Sequence, residues 1–389
     1  MATALDYLRW RGDLKIGGNH PFNSVDAALL ASIIYLPFDE TAVGHTLAEI
    51  SEEIKHHTLL FRKVKDEAKT ELDLLPLCDR LGSLKLLDWV DKFETNPVPI
   101  QFSAGTFRLT DHKIVVVYRG TDSSMVGWKE DFYMNYQHTI TGQDIAATYL
   151  KEVAKKFPDD DIYVTGHSKG GNFALYASAY VTEDVQDRII QVTNFDGPGF
   201  YYNVLNSDGY KRILPKMKTY IPEGSTFGIM LDHTERVLVV KSVYPRAAQH
   251  DPRRWSVGRN SFVLGKELQP ASRIMRHALI EINDIIPAKA RRQAYYTLFD
   301  TFEQANINDV NQISLSSLKG TLRLGRVYYA LDPETRRVFN IMLAQIWQAY
   351  RKNLNLPFME SKYRNMPISN DSYKKQLFYE FYSKEFYEK

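Results

Sequence analysis

Gly166-His167-Ser168-Lys169-Gly170, with Gly171 next, falls between a short apolar strand and a helix, and that placement constrains the chain more than any other feature. Upstream, Ile162-Tyr163-Val164-Thr165 is β-branched and aromatic and follows the turn signal Pro158-Asp159-Asp160-Asp161. Downstream, Phe173 to Tyr180 is rich in residues that a packed helix tolerates. A G-x-S-x-G run in this setting predicts a tight strand-to-helix bend. Glycine on both sides frees the backbone to turn, and the serine hydroxyl is lifted clear of the sheet. The helix N-terminus then directs N–H groups and a positive dipole end at any anion formed beside Ser168. Ser168 is therefore a candidate nucleophile.

The surrounding pattern predicts an α/β fold. Residues 1 to about 95 read as a mostly helical lead-in, with Asn23-Ser24 capping a helix through Val25, Ala28, Leu29 and Ile33. A second helix is predicted over Thr46 to His57. From about 100 the period changes. Gln101-Phe102 and Thr106 to Leu109 read as one arm of a hairpin, turning at Asp111-His112 into Lys113 to Tyr118, a run apolar enough to be buried on both faces. A helix over Gln143 to Lys156 leads to the strand before Ser168. Strands follow at Ile189 to Phe195 and from Lys218 to Ile221, then a hairpin of Phe227 to Leu231 with Val237 to Val243 around Asp232-His233-Thr234. Strands alternating with helices argue for a largely parallel sheet covered on both faces, in a domain spanning 1–262. Residues 263–389 read as a helical C-terminal region. Asp332-Pro333-Glu334 opens one of its helices, and an aromatic tail runs from Phe378 to Tyr387.

Composition closes off other chemistries. The formal charge is only +2, from 49 basic and 47 acidic residues, so no bulk electrostatic case for nucleic acid exists. Cys78 is the only cysteine, which rules out an intrachain disulfide and fits a reducing compartment such as the cytoplasm. The charged start of the chain does not read as a signal peptide. The apolar run from Ala27 to Phe38 is too short to span a bilayer, leaving at most association with a membrane surface. No metal-ligand set and no phosphate-binding glycine loop is present, so neither metal nor cofactor is expected.

A serine hydroxyl needs a base, and the base needs an acid to fix its tautomer. In elbow-type sites the chain order is serine, acid, histidine. Of ten histidines, His233, His250 and His277 follow the bend; His167 within it is expected to point elsewhere. His250 lies in a loop after the last predicted strand, where a base can reach over the sheet edge. His233 is placed in a hairpin turn and His277 in a helix. For the acid, Asp196 at the end of the strand beside the bend comes first, Glu223 is the alternative, and Asp232 trails both. A tetrahedral oxyanion would take the backbone N–H of Lys169, directly after the nucleophile, and that of Thr121 in the loop Tyr118-Arg119-Gly120-Thr121-Asp122.

Val117 to Thr121, then Trp128 and Asp131, then the bend about fifty residues on, resemble the class 3 lipase group of the α/β-hydrolases. The chain looks closer still to little-characterised bacterial relatives with Gln101-Phe102 before the strand and Gly127 to Phe132 after it. The resemblance covers roughly 100 to 255. It implies a serine hydrolase acting on a carboxylic ester or acyl lipid, with Ser168 as nucleophile and the Thr121 and Lys169 amides as oxyanion hole. Three departures stand out: Asp196-Gly197-Pro198 stands where those lipases carry Gly-x-Pro, Glu223-Gly224-Ser225 occupies the position where they place their acid, and Lys169 replaces the commoner leucine. The competing reading is a non-catalytic hydrolase-fold protein that binds a partner through its helical C-terminal region.

Overall fold

The alternating segments assemble into one seven-stranded sheet in the order β1-β2-β3-β4-β5-β6-β7. The strands are β1 (Lys85–Glu94), β2 (Ile100–Thr110), β3 (Lys113–Tyr118), β4 (Asp161–His167), β5 (Ile189–Phe195), β6 (Met217–Pro222) and β7 (Arg236–Val240). The first two pairings are antiparallel and all later ones parallel, with Val116 opposite Val164 and Val164 opposite Val192. This computed structural model describes residues 1–95, 98–313 and 317–354.

Sequential strand order has a direct consequence for the helices. Right-handed crossovers between neighbouring parallel strands all return on the same face. The principal helices, numbered in chain order, are α1 (Ala4–Arg11), α2 (Ser24–Ile33), α3 (Leu47–His56), α4 (Asp66–Leu74), α5 (Met125–Tyr133), α6 (Thr141–Lys156), α7 (Lys169–Tyr180), α8 (Asp208–Ile213), α9 (Pro270–Ile285), α10 (Ala288–Gln304), α11 (Leu318–Ala330) and α12 (Pro333–Leu354). On the crossover face, Ile114, Val116 and Tyr118 of β3 pack with Leu150, Val153, Phe173 and Leu175 of α6 and α7. Val115 and Val117 point the other way and meet the N-terminal helices. The helical lead-in therefore supplies the second cover of the sheet. Its α2 is buried from Val25 to Ile33, as a helix apolar on all sides must be. Asn23 caps α2 by accepting from Val25 N and Asp26 N, and the Asp26 carboxylate accepts from Asn23 N, an arrangement worth about 1 kcal/mol.

Mostly parallel strands with helices on both faces and the strand–bend–helix at Ser168 make this an α/β-hydrolase fold with a helical C-terminal region. That region packs on α5: Phe132 touches Tyr295 and Phe299, with ring centroids 4.9 and 5.4 Å away. The aromatic tail from Phe378 to Tyr387 lies outside the described residues. Among the described residues no helix is long and apolar enough to cross a membrane.

Two expectations are corrected. Lys85–Glu94, inside the supposed helical lead-in, is the edge strand β1. Its outer half is exposed and charged, so no apolar alternation betrays it. The expected hairpin of 227–231 with 237–243 does not form: β7 pairs in parallel with β6. Residues 227–231 instead turn in a loop, with Met230 N donating to Phe227 O at 2.9 Å.

Candidate active site

At the end of β4 the chain bends so sharply that Ser168 takes φ 58° and ψ −130°, a region nearly closed to residues with a β-carbon. Glycine is required on either side of it. A β-carbon on Gly166 would lie 2.2 Å from Gly170 O, and one on Gly170 would lie 2.2 Å from Tyr118 O. Ser168 N donates to Phe195 O at 2.9 Å, pinning the bend to β5. Ser168 as a whole residue is half-buried at the carboxyl end of the sheet.

Beyond β5, Asp196 also has a left-handed backbone, φ 52°, and is fully buried. Its Oδ2 lies 2.7 Å from His250 Nδ1. Its Oδ1 accepts from Ser225 Oγ at 2.5 Å and from Gly228 N at 3.1 Å. A carboxylate accepting at Oδ2 requires Nδ1 to be the donor, which leaves His250 Nε2 as the acceptor. The imidazole is 21% exposed while its carboxylate partner is fully covered. Solvent or substrate can therefore reach the ring while the acid stays dry. No hydrogen bond joins Ser168 Oγ to this ring among the described residues. In unliganded sites such contacts are often long and tighten only when substrate binds.

The ring is held from its other sides. His167 and His250 lie with centroids 4.4 Å apart, and Phe227 approaches His250 at the same distance. His167 does not point elsewhere as expected: its Nε2 lies 2.8 Å from the His250 carbonyl, and its Nδ1 is 3.3 Å from Tyr35 Oη. Burial first, and then His250, push the His167 pKa well below the usual histidine value. The neutral ring donates from Nε2 to the carbonyl and accepts from Tyr35 at Nδ1.

The loop carrying Thr121 passes directly beside the bend. A β-carbon on Gly120 would sit 3.1 Å from Ser168 Cβ and 2.3 Å from Tyr35 Oη. Thr121 Oγ1 donates to Asp131 Oδ2 at 2.6 Å. Burial raises the Asp131 pKa to about 6, against the pull of Lys169 and the Thr121 hydrogen bond. Lys169 opens α7, yet its side chain is buried against Glu130.

The other predicted positions fall elsewhere. Glu223 lies in the turn directly after β6, its N donating to Val240 O at 2.9 Å, and its carboxylate lies against Gly265. It does not pair with His250; from the same stretch, Ser225 reaches Asp196 instead. Asp232 pairs with Arg276 at 3.4 Å and His277 with Glu281 at 3.3 Å. His233 is fully buried, 2.7 Å from Glu235 Oε1 and 2.9 Å from Gly228 O. Burial opposes ionisation of Glu235, but the His233 ring and three hydrogen bonds bring its pKa down to about 2. Among the described residues no group of three or more His, Cys, Asp or Glu could hold a metal ion.

The strain at Ser168 makes a stability prediction. Glycine adopts that backbone freely whereas alanine does not, and such strain costs about 1–3 kcal/mol. Ser168→Gly is expected to melt about 2–4 °C above Ser168→Ala. Equal melting temperatures, or a lower one for glycine, would show that the bend stores no strain.

Solved structures similar to the chain include a fungal lipase in complex with an inhibitor, 17% identical, covering 46% of this chain and 70% of its own, with a TM-score of 0.31. The Rhizomucor miehei lipase–propeptide complex is 15% identical, covering 50% and 66%, with a TM-score of 0.33. Lip2 lipase from Yarrowia lipolytica is 15% identical, covering 47% and 71%, with a TM-score of 0.30. No curated protein sequence matches the chain. One family model, described as Mbeg1-like, matches residues 75–300. That match takes in more than half of the chain, from just before β1 through most of α10, and includes the bend, the Thr121 loop, Asp196 and His250. The chain belongs to the Mbeg1-like family.

Proposed function

We propose that this protein is a serine hydrolase that cleaves a carboxylic ester, acyl lipids included, through an acyl-enzyme on Ser168. The observation that carries the reading is a strained serine at a strand–helix bend, whose chain neighbour His167 packs against a histidine with its Nδ1 engaged by a buried carboxylate. Ser168 Oγ attacks the acyl carbonyl carbon while His250 Nε2 takes the hydroxyl proton. Asp196 fixes the ring's tautomer and stabilises the imidazolium. The carbonyl oxygen, now an oxyanion, receives the backbone N–H groups of Thr121 and Lys169. Collapse of the tetrahedral intermediate breaks the ester bond, and His250 returns the proton to the departing alkoxide. Water, deprotonated by the same ring, then releases the carboxylic acid and regenerates Ser168. No step calls for a metal or cofactor. With Cys78 buried as a lone thiol, a reducing compartment such as the cytoplasm suits the protein.

The test is turnover of p-nitrophenyl esters from acetate to a long acyl chain by the intact protein. Steady hydrolysis above the buffer rate is expected for at least part of the series. A folded protein that turns over none of them would remove the enzyme reading and favour a partner-binding role for the hydrolase fold.

A further inference from the structure

The buried side chain of Lys169, at the first turn of the nucleophile's own helix, takes no part in the chemistry above. Burying an ammonium costs several kcal/mol unless its donors are matched. Here all three are: Lys169 Nζ lies 2.5 Å from Glu130 Oε2 and 3.1 Å from both Gln101 O and Gln101 Oε1. Lys169 and Glu130 are each 1% exposed and Gln101 is fully buried. An apolar side chain such as leucine would pack there with no desolvation penalty, so the pair calls for a reason other than stability.

The partners' positions supply that reason. Glu130 lies on α5 immediately before Asp131, the residue that holds the Thr121 hydroxyl. Gln101 Nε2 reaches the carbonyl of Gly120, one residue before Thr121, at 3.5 Å. At Gly127 a β-carbon would come within 2.9 Å of both Gln101 Oε1 and Thr121 Cγ2, so α5 rests directly on this loop. The side chain of one oxyanion donor residue is thus tied by two routes to the loop that carries the other.

We infer that the buried Lys169–Glu130–Gln101 cluster is a positioning device: it clamps α7 to α5 and the Gly120–Thr121 loop, fixing the separation of the two backbone N–H groups that receive the oxyanion. This rests on the reading of Thr121 and Lys169 as that pair of donors. The cluster touches neither substrate nor reacting atoms. Its effect is geometric, and a shift of about 1 Å in a catalytic group can cost about a hundredfold in rate. Because the oxyanion exists only in the transition state, loosening the clamp lowers kcat and leaves KM alone.

The test replaces the ion pair with neutral side chains of similar size, Lys169→Met with Glu130→Gln, so that no unpaired charge remains. The folded double variant is expected to lose about thirtyfold in kcat on a p-nitrophenyl ester, with KM within about threefold of wild type. A kcat within threefold of wild type, or a loss carried by KM alone, overturns the clamp. Should the double variant fail to fold, Glu130→Gln alone gives the same readout, with about a tenfold loss in kcat expected and an unchanged kcat overturning it. A fluorophosphonate on the unmodified protein separates the two levels. If Ser168 is not labelled there, the hydrolase reading has failed. If it is labelled and the variants keep their kcat, only the clamp has.

Discussion

Ser168→Ala and His250→Ala will each lower kcat for ester hydrolysis by about 10⁴- to 10⁶-fold, and the double variant will be no slower than the worse single one. The size follows from the division of labour. Without the hydroxyl no acyl-enzyme forms, and without the ring the hydroxyl keeps its proton, so either loss removes the same step. Residual turnover comes from whatever oxyanion stabilisation and binding remain. The measurement is steady-state kinetics on one p-nitrophenyl ester with all three variants, folding being checked by thermal melting. Losses that multiply in the double variant would mean that the two residues act in separate steps. A folded Ser168→Ala within tenfold of wild type would mean that the nucleophile lies elsewhere.

Asp196→Asn is expected to cost about 10⁴-fold in kcat, or about 5.5 kcal/mol in the barrier, whereas Glu223→Gln leaves kcat within about twofold. Asparagine tolerates the left-handed backbone at 196, and its amide oxygen can still accept from Ser225 and Gly228. The amide nitrogen then faces His250 Nδ1, a donor that selects the wrong tautomer and puts the proton on Nε2. The variant thus isolates the electronic role of the carboxylate from its packing. Glu223 forms no hydrogen bond or ion pair with the ring, which pairs with Asp196. Steady-state kinetics of both variants decide between them, and a larger loss in Glu223→Gln than in Asp196→Asn would reverse the assignment.

Most of what could be read in the sequence was local. The bend at Ser168 depends on glycines within two residues of it, and the strands around it are short apolar runs, so both show in the letters. Asp196 and His250 can be picked out as candidates because each follows a recognisable strand, and the structure pairs them at 2.7 Å. What failed was either edge structure or long-range contact. The edge strand β1 has charges where alternation should be. The stretch 227–231 looks β-rich, yet Gly228 N is spent on Asp196 and not on a ladder. Tyr35 meets His167 across 132 residues, and Ser225 meets Asp196 across 29, distances no local pattern reports. Glu130 was visible only as part of a resemblance. A lysine between Ser168 and Gly170, at the head of a mostly apolar helix, is the signal that points to a buried acidic partner.

The most direct test is to catch the acyl group on its oxygen. The protein is mixed with excess p-nitrophenyl ester, quenched in acid within the first turnovers, digested, and its peptides weighed. One acyl group per chain is expected, on the peptide containing Ser168, and none in Ser168→Ala. Turnover without any acylated peptide, or an acyl group at another residue that survives Ser168→Ala, would contradict it.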